Sequence, residues 1–252
     1  MRFAPSQSHL RRRWLAPLLL LGLLSKEIIP SIFAKDSVSS DPKTILVLGD
    51  SLAAGHGLDP TEAYPAVLQN KIKAAGLNFT VINAGLSGDT SAGGLRRIEW
   101  LLKRKFDLLL LELGGNDGLR GTSVEAMKTN LQGIIDRTKE KYPQARIVVV
   151  GMKMPPNLGA YAKEFNKVFP ELASENKASL VPFLLEGVGG KADLNLSDLI
   201  HPTAEGQKIL AENVWRVLLP LLGRSMLPGN TQGGVAPPPL SRELDNATAV
   251  NK

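Results

Sequence analysis

The chain has 252 residues, of which 43% are hydrophobic and 21% charged, a composition that excludes both a disordered protein and an integral membrane protein. The formal net charge is +6, but most of the excess lies in residues 1–34, where five arginines and lysines accompany one glutamate. The remainder is too weakly basic to track nucleic-acid phosphates. Cysteine is absent, which excludes disulfides and a lipid-anchored lipoprotein.

The first 34 residues have the organisation of a secretory signal. A basic cluster at residues 11–13 precedes an apolar run at residues 14–24, and a more polar segment follows. The run is too short to cross about 30 Å of hydrocarbon as a helix. We therefore expect export to the periplasm or the medium. An uncleaved anchor is the alternative, because Ala34 has Ile32, not a small residue, two positions earlier.

From residue 44 onward, short apolar runs alternate with amphipathic segments. The apolar runs predict five buried strands, at residues 44–48, 80–83, 107–113, 146–150 and 178–181. The segments between them predict helices at residues 61–75, 91–104, 124–142 and 162–176, and an apolar stripe at residues 210–221 predicts a last helix. This alternation predicts an α/β domain whose parallel sheet carries helices on both faces.

Composition also sets the limits of the globular part. Residues 35–222 are expected to form one domain, which is long enough to bury a substantial core. Residues 223–252 contain a triple proline, several glycines and few large apolar side chains. That segment is expected to be a disordered tail.

Four short polar blocks stand out against this pattern. They are Gly-Asp-Ser-Leu at residues 49–52, Ser-Gly-Asp-Thr at 87–90, Gly-Asn-Asp at 115–117 and Asp-Leu-Ile-His at 198–201. The first three blocks each follow a predicted strand. Because parallel strands end at a common edge, where open α/β sheets bind ligands, these blocks are expected to meet there.

Ser51 and His201 are the candidate nucleophile and base. The serine follows the first strand but is outside a Gly-x-Ser-x-Gly elbow, because position 53 is alanine, which argues against the α/β-hydrolase fold. Of the three histidines, His9 lies in the predicted signal and His56 lies too close to Ser51 along the same loop. His201 is therefore the histidine expected to act on Ser51.

Three further residues complete the expected site. Asp198, three residues before His201, can reach the imidazole and fix its tautomer. Gly88 and Asn116 are candidate donors to an oxyanion, through a backbone N–H and a side-chain amide respectively. Turn formation explains any one of these blocks alone. It does not explain all four at one edge of the sheet.

A metal site is the rival interpretation. The carboxylates at strand ends, namely Asp50, Asp89, Glu112 and Asp117, could hold a divalent ion for phosphoester hydrolysis. Such sites usually also use several histidines, and this chain, with three in all, has almost none to offer.

The blocks extend into longer stretches of resemblance. These are ILVLGDSLAAG at residues 45–55, NAGLSGDT at 83–90, ELGGNDGLRG at 112–121, PPNLG at 155–159 with Tyr161 and Phe165-Asn166 after it, and IHP at 200–202. They resemble the SGNH (GDSL-type) hydrolase superfamily, and within it the bacterial thioesterase I, lysophospholipase and arylesterase branch. The resemblance covers residues 44–222.

The resemblance implies a flavodoxin-like three-layer α/β/α sandwich with five parallel strands, and a serine esterase needing no cofactor or metal. Ser51, Asp198 and His201 would be catalytic, and Ser51 and Gly88 N–H with the Asn116 side chain would form the oxyanion hole. The loop at residues 117–121 would be mobile.

Substrates would be lipid, lysophospholipid or aryl acyl esters or thioesters, with transient contact to a membrane surface and no obligate protein partner. The alternatives are a carbohydrate acetylesterase and a non-catalytic lipid- or sugar-binding module.

Overall fold

Five parallel strands form the centre of the domain in the computed structural model, which describes residues 41–224. The strands are β1 (Lys43–Gly49), β2 (Phe79–Gly85), β3 (Leu108–Glu112), β4 (Arg146–Val150) and β5 (Ser179–Val181). They lie in the order β2-β1-β3-β4-β5, and the chain reverses direction across the sheet after β2. The predicted parallel α/β fold is confirmed, whereas the predicted signal and nearly all of the predicted tail lie outside the described residues.

Helices cover both faces of the sheet. They are α1 (Ser51–Ala54), α2 (Tyr64–Ala74), α3 (Ser91–Leu101), α4 (Gly115–Leu119), α5 (Val124–Lys141), α6 (Gly159–Glu175) and α7 (Ala204–Arg224). Helix α2 packs against α7, whereas α3 packs against α5 and α5 against α6. Right-handed crossovers place these two groups on opposite faces. Within residues 41–224, no helix combines the length and apolar character needed to cross a bilayer.

The apolar runs behave as their composition predicts. Every residue of β3 is buried, and so are the last five residues of β1, because helices cover the sheet from both sides. Helix α2 begins later than predicted, after a 3-10 turn at Pro60–Glu62. Asp59 and Glu62 cap that turn reciprocally, which separates it from the helix proper.

The strand register brings the first three polar blocks together. Gly49, the last residue of β1, pairs with Gly85 of β2 on one side and with Glu112 of β3 on the other. The loops that follow these three strands therefore leave the sheet at the same level. The helices α1 and α4, which were not predicted, begin directly in two of these loops.

Candidate active site

Ser51 is positioned by the sharp change from β1 to α1. It is the first residue of α1, and the Asp50 side chain caps this helix by accepting a hydrogen bond from Leu52 N at 2.9 Å. Position 49 requires glycine, because a Cβ there would overlap the Glu112 carboxylate and Ala53. The turn thus places the Ser51 hydroxyl at the edge of the sheet.

His201 and Asp198 reach Ser51 from the other end of the chain. His201 Nε2 lies 3.0 Å from Ser51 Oγ, and His201 Nδ1 lies 2.7 Å from Asp198 Oδ2. When Nδ1 carries the proton and donates a hydrogen bond to the Asp198 carboxylate, Nε2 is free to accept the proton of the serine hydroxyl. The three side chains therefore form the continuous chain of contacts that acyl transfer needs.

The backbone of the Asp198–His201 segment is a tight turn. Asp198 Oδ1 accepts hydrogen bonds from Ile200 N at 2.9 Å and from His201 N at 3.0 Å. Leu199 between them has a φ of 59°, a left-handed conformation that is uncommon for a leucine. These two amides and the imidazole favour the charged form, so they hold the pKa of the Asp198 carboxyl well below its usual range.

The turn is fixed to the rest of the domain by backbone hydrogen bonds. Leu196 N donates to His201 O at 2.7 Å, and Thr203 N donates to Leu194 O at 2.9 Å, just before α7 begins. The loop therefore has a defined backbone path although the side chains of Asp198, Leu199 and Ile200 are exposed.

Asn116 lies in α4, the short helix that follows β3. Its Nδ2 donates to Asp89 O at 2.8 Å and lies 3.3 Å from Asp50 Oδ2, so the amide is oriented by two of the polar blocks. Gly88 adopts a φ of 78°, a conformation glycine adopts without strain. Among the described residues, Ser51 N and Gly88 N have no hydrogen-bond acceptor and remain available to an anion.

Most of the candidate site residues, but not all of them, line one large cavity. Ser51, Asn116 and His201 line a cavity of about 730 Å³, but Gly88 does not contribute to its wall. Most of the other lining side chains are apolar: Leu52, Leu119, Met152, Met154, Pro155, Pro156, Phe183, Leu185, Leu199 and Ile200. Such a size and lining suit an organic substrate with an apolar part.

A pair of buried carboxyls lies behind Ser51. Glu112 Oε2 accepts a hydrogen bond from Asp50 N at 3.2 Å, and both side chains are almost completely inaccessible to solvent. Burial disfavours their charged forms, which raises the pKa of Asp50 to about 6 and raises the pKa of Glu112 well above its usual range. The pair therefore holds at least one proton at moderately acidic pH.

The four strand-end carboxylates do not form the metal site of the rival interpretation. Asp89 forms an ion pair with Arg97 Nε at 2.7 Å, and the same guanidinium donates to the carbonyls of Ala84 and Gly49. Asp117 accepts hydrogen bonds from both the backbone N–H and the hydroxyl of Ser91. Their partners are thus a guanidinium, amides and a hydroxyl that organise the loops.

His56 contacts the site in a way the sequence did not indicate. Its imidazole lies against that of His201, with ring centroids 4.3 Å apart and planes tilted by 40°. The sequence set His56 aside as the base, and His201 is indeed the histidine that faces Ser51 Oγ. The two stacked histidines are far apart in the chain, so no local sequence pattern predicts their contact.

Comparison with known proteins adds an independent line of support. Residues 47–209 match the model of the GDSL-like Lipase/Acylhydrolase family. Esterase TesA of Pseudomonas aeruginosa is 43% identical over 182 residues, which is 71% of this chain and 90% of that protein. Thioesterase 1/protease 1/lysophospholipase L1 of Escherichia coli K12 is 35% identical over 212 residues, which is 83% of this chain and 94% of that protein.

A solved structure shows the same likeness. The psychrotrophic esterase EstA from Pseudoalteromonas sp., in a crystal structure inhibited by monoethylphosphonate, superimposes with a TM-score of 0.67 at 35% identity. The match covers 72% of this chain and 99% of that one.

Proposed function

The chain belongs to the GDSL-like lipase/acylhydrolase family and is a serine hydrolase of carboxylic ester or thioester bonds, and we propose that Ser51, His201 and Asp198 carry out this reaction on lipid-like acyl esters. The observation that carries the assignment is the contact chain from Ser51 Oγ through His201 to Asp198, with distances of 3.0 and 2.7 Å.

The proposed reaction has two steps. His201 Nε2 takes the Ser51 proton, Oγ attacks the carbonyl carbon, and the imidazolium returns the proton to the departing alcohol or thiol. Water, activated by the same imidazole, then hydrolyses the acyl-serine and releases the carboxylic acid. Asp198 keeps the imidazole in the required tautomer and stabilises its charged form.

The carbonyl oxygen becomes an anion in both steps, and donors must be in place before it forms. Ser51 N belongs to the residue of the nucleophile, and Asn116 lines the same cavity. Gly88 N would be the third donor, in the turn that the Asn116 bond to Asp89 O connects to α4. Fixed donors of this kind lower the barrier by stabilising charge that develops only in the transition state.

The cavity favours a substrate with a hydrophobic acyl chain. Leu119, Leu199 and Ile200 line it and are also exposed, with Leu199 58% accessible. Exposed leucines at the rim of an apolar cavity would allow a brief contact with a lipid surface, from which an acyl chain could enter. The lining includes a single aromatic ring besides His201, that of Phe183, which offers little for stacking a sugar.

The expected export would support the same substrate class. The basic and apolar segments within residues 1–34 support export, and an exported enzyme would meet lipid esters and not cytoplasmic acyl-CoA. Aryl esters and thioesters would then be accepted because the chemistry at Ser51 is shared. A carbohydrate acetylesterase remains the alternative, and release of acetate from acetyl-xylan would favour it.

Hydrolysis of p-nitrophenyl acetate and octanoate by the full chain tests the proposal. We expect activity that survives EDTA, with a higher kcat/KM for octanoate, and a loss of about 10⁴-fold or more in Ser51→Ala. Ser174→Ala, at an exposed position of α6, is the matched control.

A fluorophosphonate probe tests the nucleophile directly. Mass spectrometry should locate the adduct on Ser51 in the wild-type protein and find none in Ser51→Ala. Activity that persists in Ser51→Ala, or that EDTA abolishes, would contradict the proposal and favour metal-dependent chemistry.

A further inference from the structure

His56 is a side chain at the site for which the proposed reaction has no use. It lies in the turn after α1, where its backbone N–H donates to Ser51 O at 3.1 Å, and its ring is exposed to solvent. Within the described part of the chain, neither ring nitrogen of His56 has a hydrogen-bond partner. An imidazole with free nitrogens is thus packed directly on the imidazole that serves Ser51.

The Asp198 carboxylate lies close to the two imidazoles and offers a third ligand atom. One nitrogen from each of His56 and His201 and one carboxylate oxygen of Asp198 all lie within 4.8 Å of one another. Asp198 is ionised at neutral pH because its hydrogen bonds lower its pKa. Between residues 41 and 224, this is the one group of histidine and acidic side chains whose ligand atoms converge in this way.

Two imidazoles and one carboxylate form a donor set suited to zinc. Tetrahedral zinc with bonds of about 2.0–2.1 Å holds its ligand atoms roughly 3.3 Å apart, so these atoms would have to close by about 1.5 Å. All three side chains are at least partly exposed, and rotation about side-chain bonds covers that distance. The open side of the site leaves room for water as the fourth ligand.

We propose that His56, Asp198 and His201 bind Zn²⁺, or a similar divalent transition metal, and that the bound ion inhibits the enzyme. His201 has two nitrogens, and both are engaged: Nδ1 with Asp198 and Nε2 with Ser51. A metal on Nδ1 takes the place of the proton there, and the neutral ring then carries its proton on Nε2, which can no longer accept the serine proton. A metal on Nε2 occupies that position itself. Either mode stops proton transfer, and the inhibitory effect, unlike the metal site itself, rests on the proposed function.

Direct binding is the first test. Zinc chloride is titrated into the full-length protein by calorimetry, in a buffer that does not coordinate metals, for wild type and His56→Phe. Phenylalanine retains a ring against His201 but offers no ligand. We expect one zinc per chain in the wild type and at least tenfold weaker binding in His56→Phe.

The third histidine provides the matched control. His9→Phe removes an imidazole outside the described residues and should bind zinc as the wild type does. Equal affinity in wild type and His56→Phe, or a loss in His9→Phe in its place, would overturn the site. Competition by a millimolar excess of Mg²⁺ or Ca²⁺, which prefer oxygen ligands, would overturn the chemistry assigned to it.

Inhibition is measured separately on p-nitrophenyl acetate. Zinc should inhibit the wild type reversibly, EDTA should restore the rate, and His56→Phe should require at least tenfold more zinc. Zinc that binds without inhibiting would overturn the inhibitory role. Because calorimetry needs no turnover, an inactive protein with zinc binding that depends on His56 would refute the proposed function but not the site.

Discussion

Asp50 and Asp198 lie on either side of the same serine and have opposite environments. Asp50 is 2% accessible, and burial beside Glu112 raises its pKa to about 6. Asp198 lies on an exposed turn, its side chain 40% accessible, where two amides and an imidazole lower its pKa. The same side chain therefore has a raised pKa at one position and a lowered pKa at the other.

This contrast assigns different work to the two carboxylates. A group that must stabilise an imidazolium has to be charged at working pH, and Asp198 meets that condition without burial because its partners favour the charge. Asp50 instead caps α1 and receives the Asn116 amide. Asp198 is thus suited to the chemistry, whereas Asp50 and Glu112 are suited to holding the turn that carries Ser51.

After the loss expected in Ser51→Ala, the largest effect should come from neutralising Asp198. Asp198→Asn should lower kcat by about 10³-fold or more, because an amide can hold His201 in the wrong tautomer. The melting temperature should change little, since an amide oxygen can still accept from the two backbone N–H groups. The exposed Asp193→Asn, in the same loop, is the control and should be fully active. A loss below tenfold in Asp198→Asn would mean that its charge does not serve the reaction.

Removing the Asn116 amide should have the next largest effect. Asn116→Ala deletes one oxyanion donor and should lower kcat about 10²-fold with KM nearly unchanged. Asn70→Ala, on the exposed surface of α2, is the control. Equal kcat values in Asn116→Ala and wild type, measured on p-nitrophenyl acetate, would remove Asn116 from the site.

The buried carboxyls of Asp50 and Glu112 should affect the pH dependence of the melting temperature and not the rate of hydrolysis. A carboxyl whose folded pKa is raised stabilises the fold below its unfolded pKa, and that contribution is lost as pH rises through the folded value. For Asp50 this window runs from about pH 4 to above pH 6, and the melting temperature should fall by on the order of 5 °C across it.

Glu112→Gln isolates this effect. The amide keeps a hydrogen-bonding group beside Asp50 but cannot add a second negative charge, so the fall in melting temperature with pH should be smaller than in the wild type. Thermal unfolding of both proteins at several pH values between 4 and 8 measures the difference. Parallel curves would show that the two carboxyls do not share a proton.

The smallest effect is expected at the rim of the cavity. Leu199→Ala shortens an apolar wall that is already largely exposed, and it should lower the octanoate-to-acetate ratio of kcat/KM about threefold. Leu219→Ala, an exposed leucine of α7, is the control. A change of the same size for both esters would indicate a disturbed turn and not a lost contact with the acyl chain.

The sequence predicted those features that depend on local pattern. The strand β4 was predicted with its observed limits, since a continuous apolar run has one favourable place in a parallel sheet. The helix α4 was missed because Gly115 and Gly118 disfavour helix and because five residues carry no periodicity. Its geometry comes from the strand that precedes it and from the Asn116 contacts.

The sequence also failed to predict contacts between segments that are distant along the chain. Glu112 was considered as a metal ligand at a strand end, but the register of β1 against β3 buries it, where it accepts a hydrogen bond from Asp50 N. His56 was judged by its distance from Ser51 along the chain, yet its contact is with His201, 145 positions away. The sequence selected His201 for Ser51 because catalysis by a serine restricts the choice among three histidines, and His201 Nε2 lies 3.0 Å from Ser51 Oγ.

Arg97 joins three chain segments close to the nucleophile. One guanidinium ties together the ends of β1 and β2 and the Asp89 turn, through the Gly49 and Ala84 carbonyls and the Asp89 carboxylate. One side chain thus couples the end of β1, just before Ser51, to the turn at Asp89, just after Gly88. A change at Arg97 would therefore disturb both the turn that carries Ser51 and the turn that contains Gly88, although Arg97 itself lines no part of the cavity.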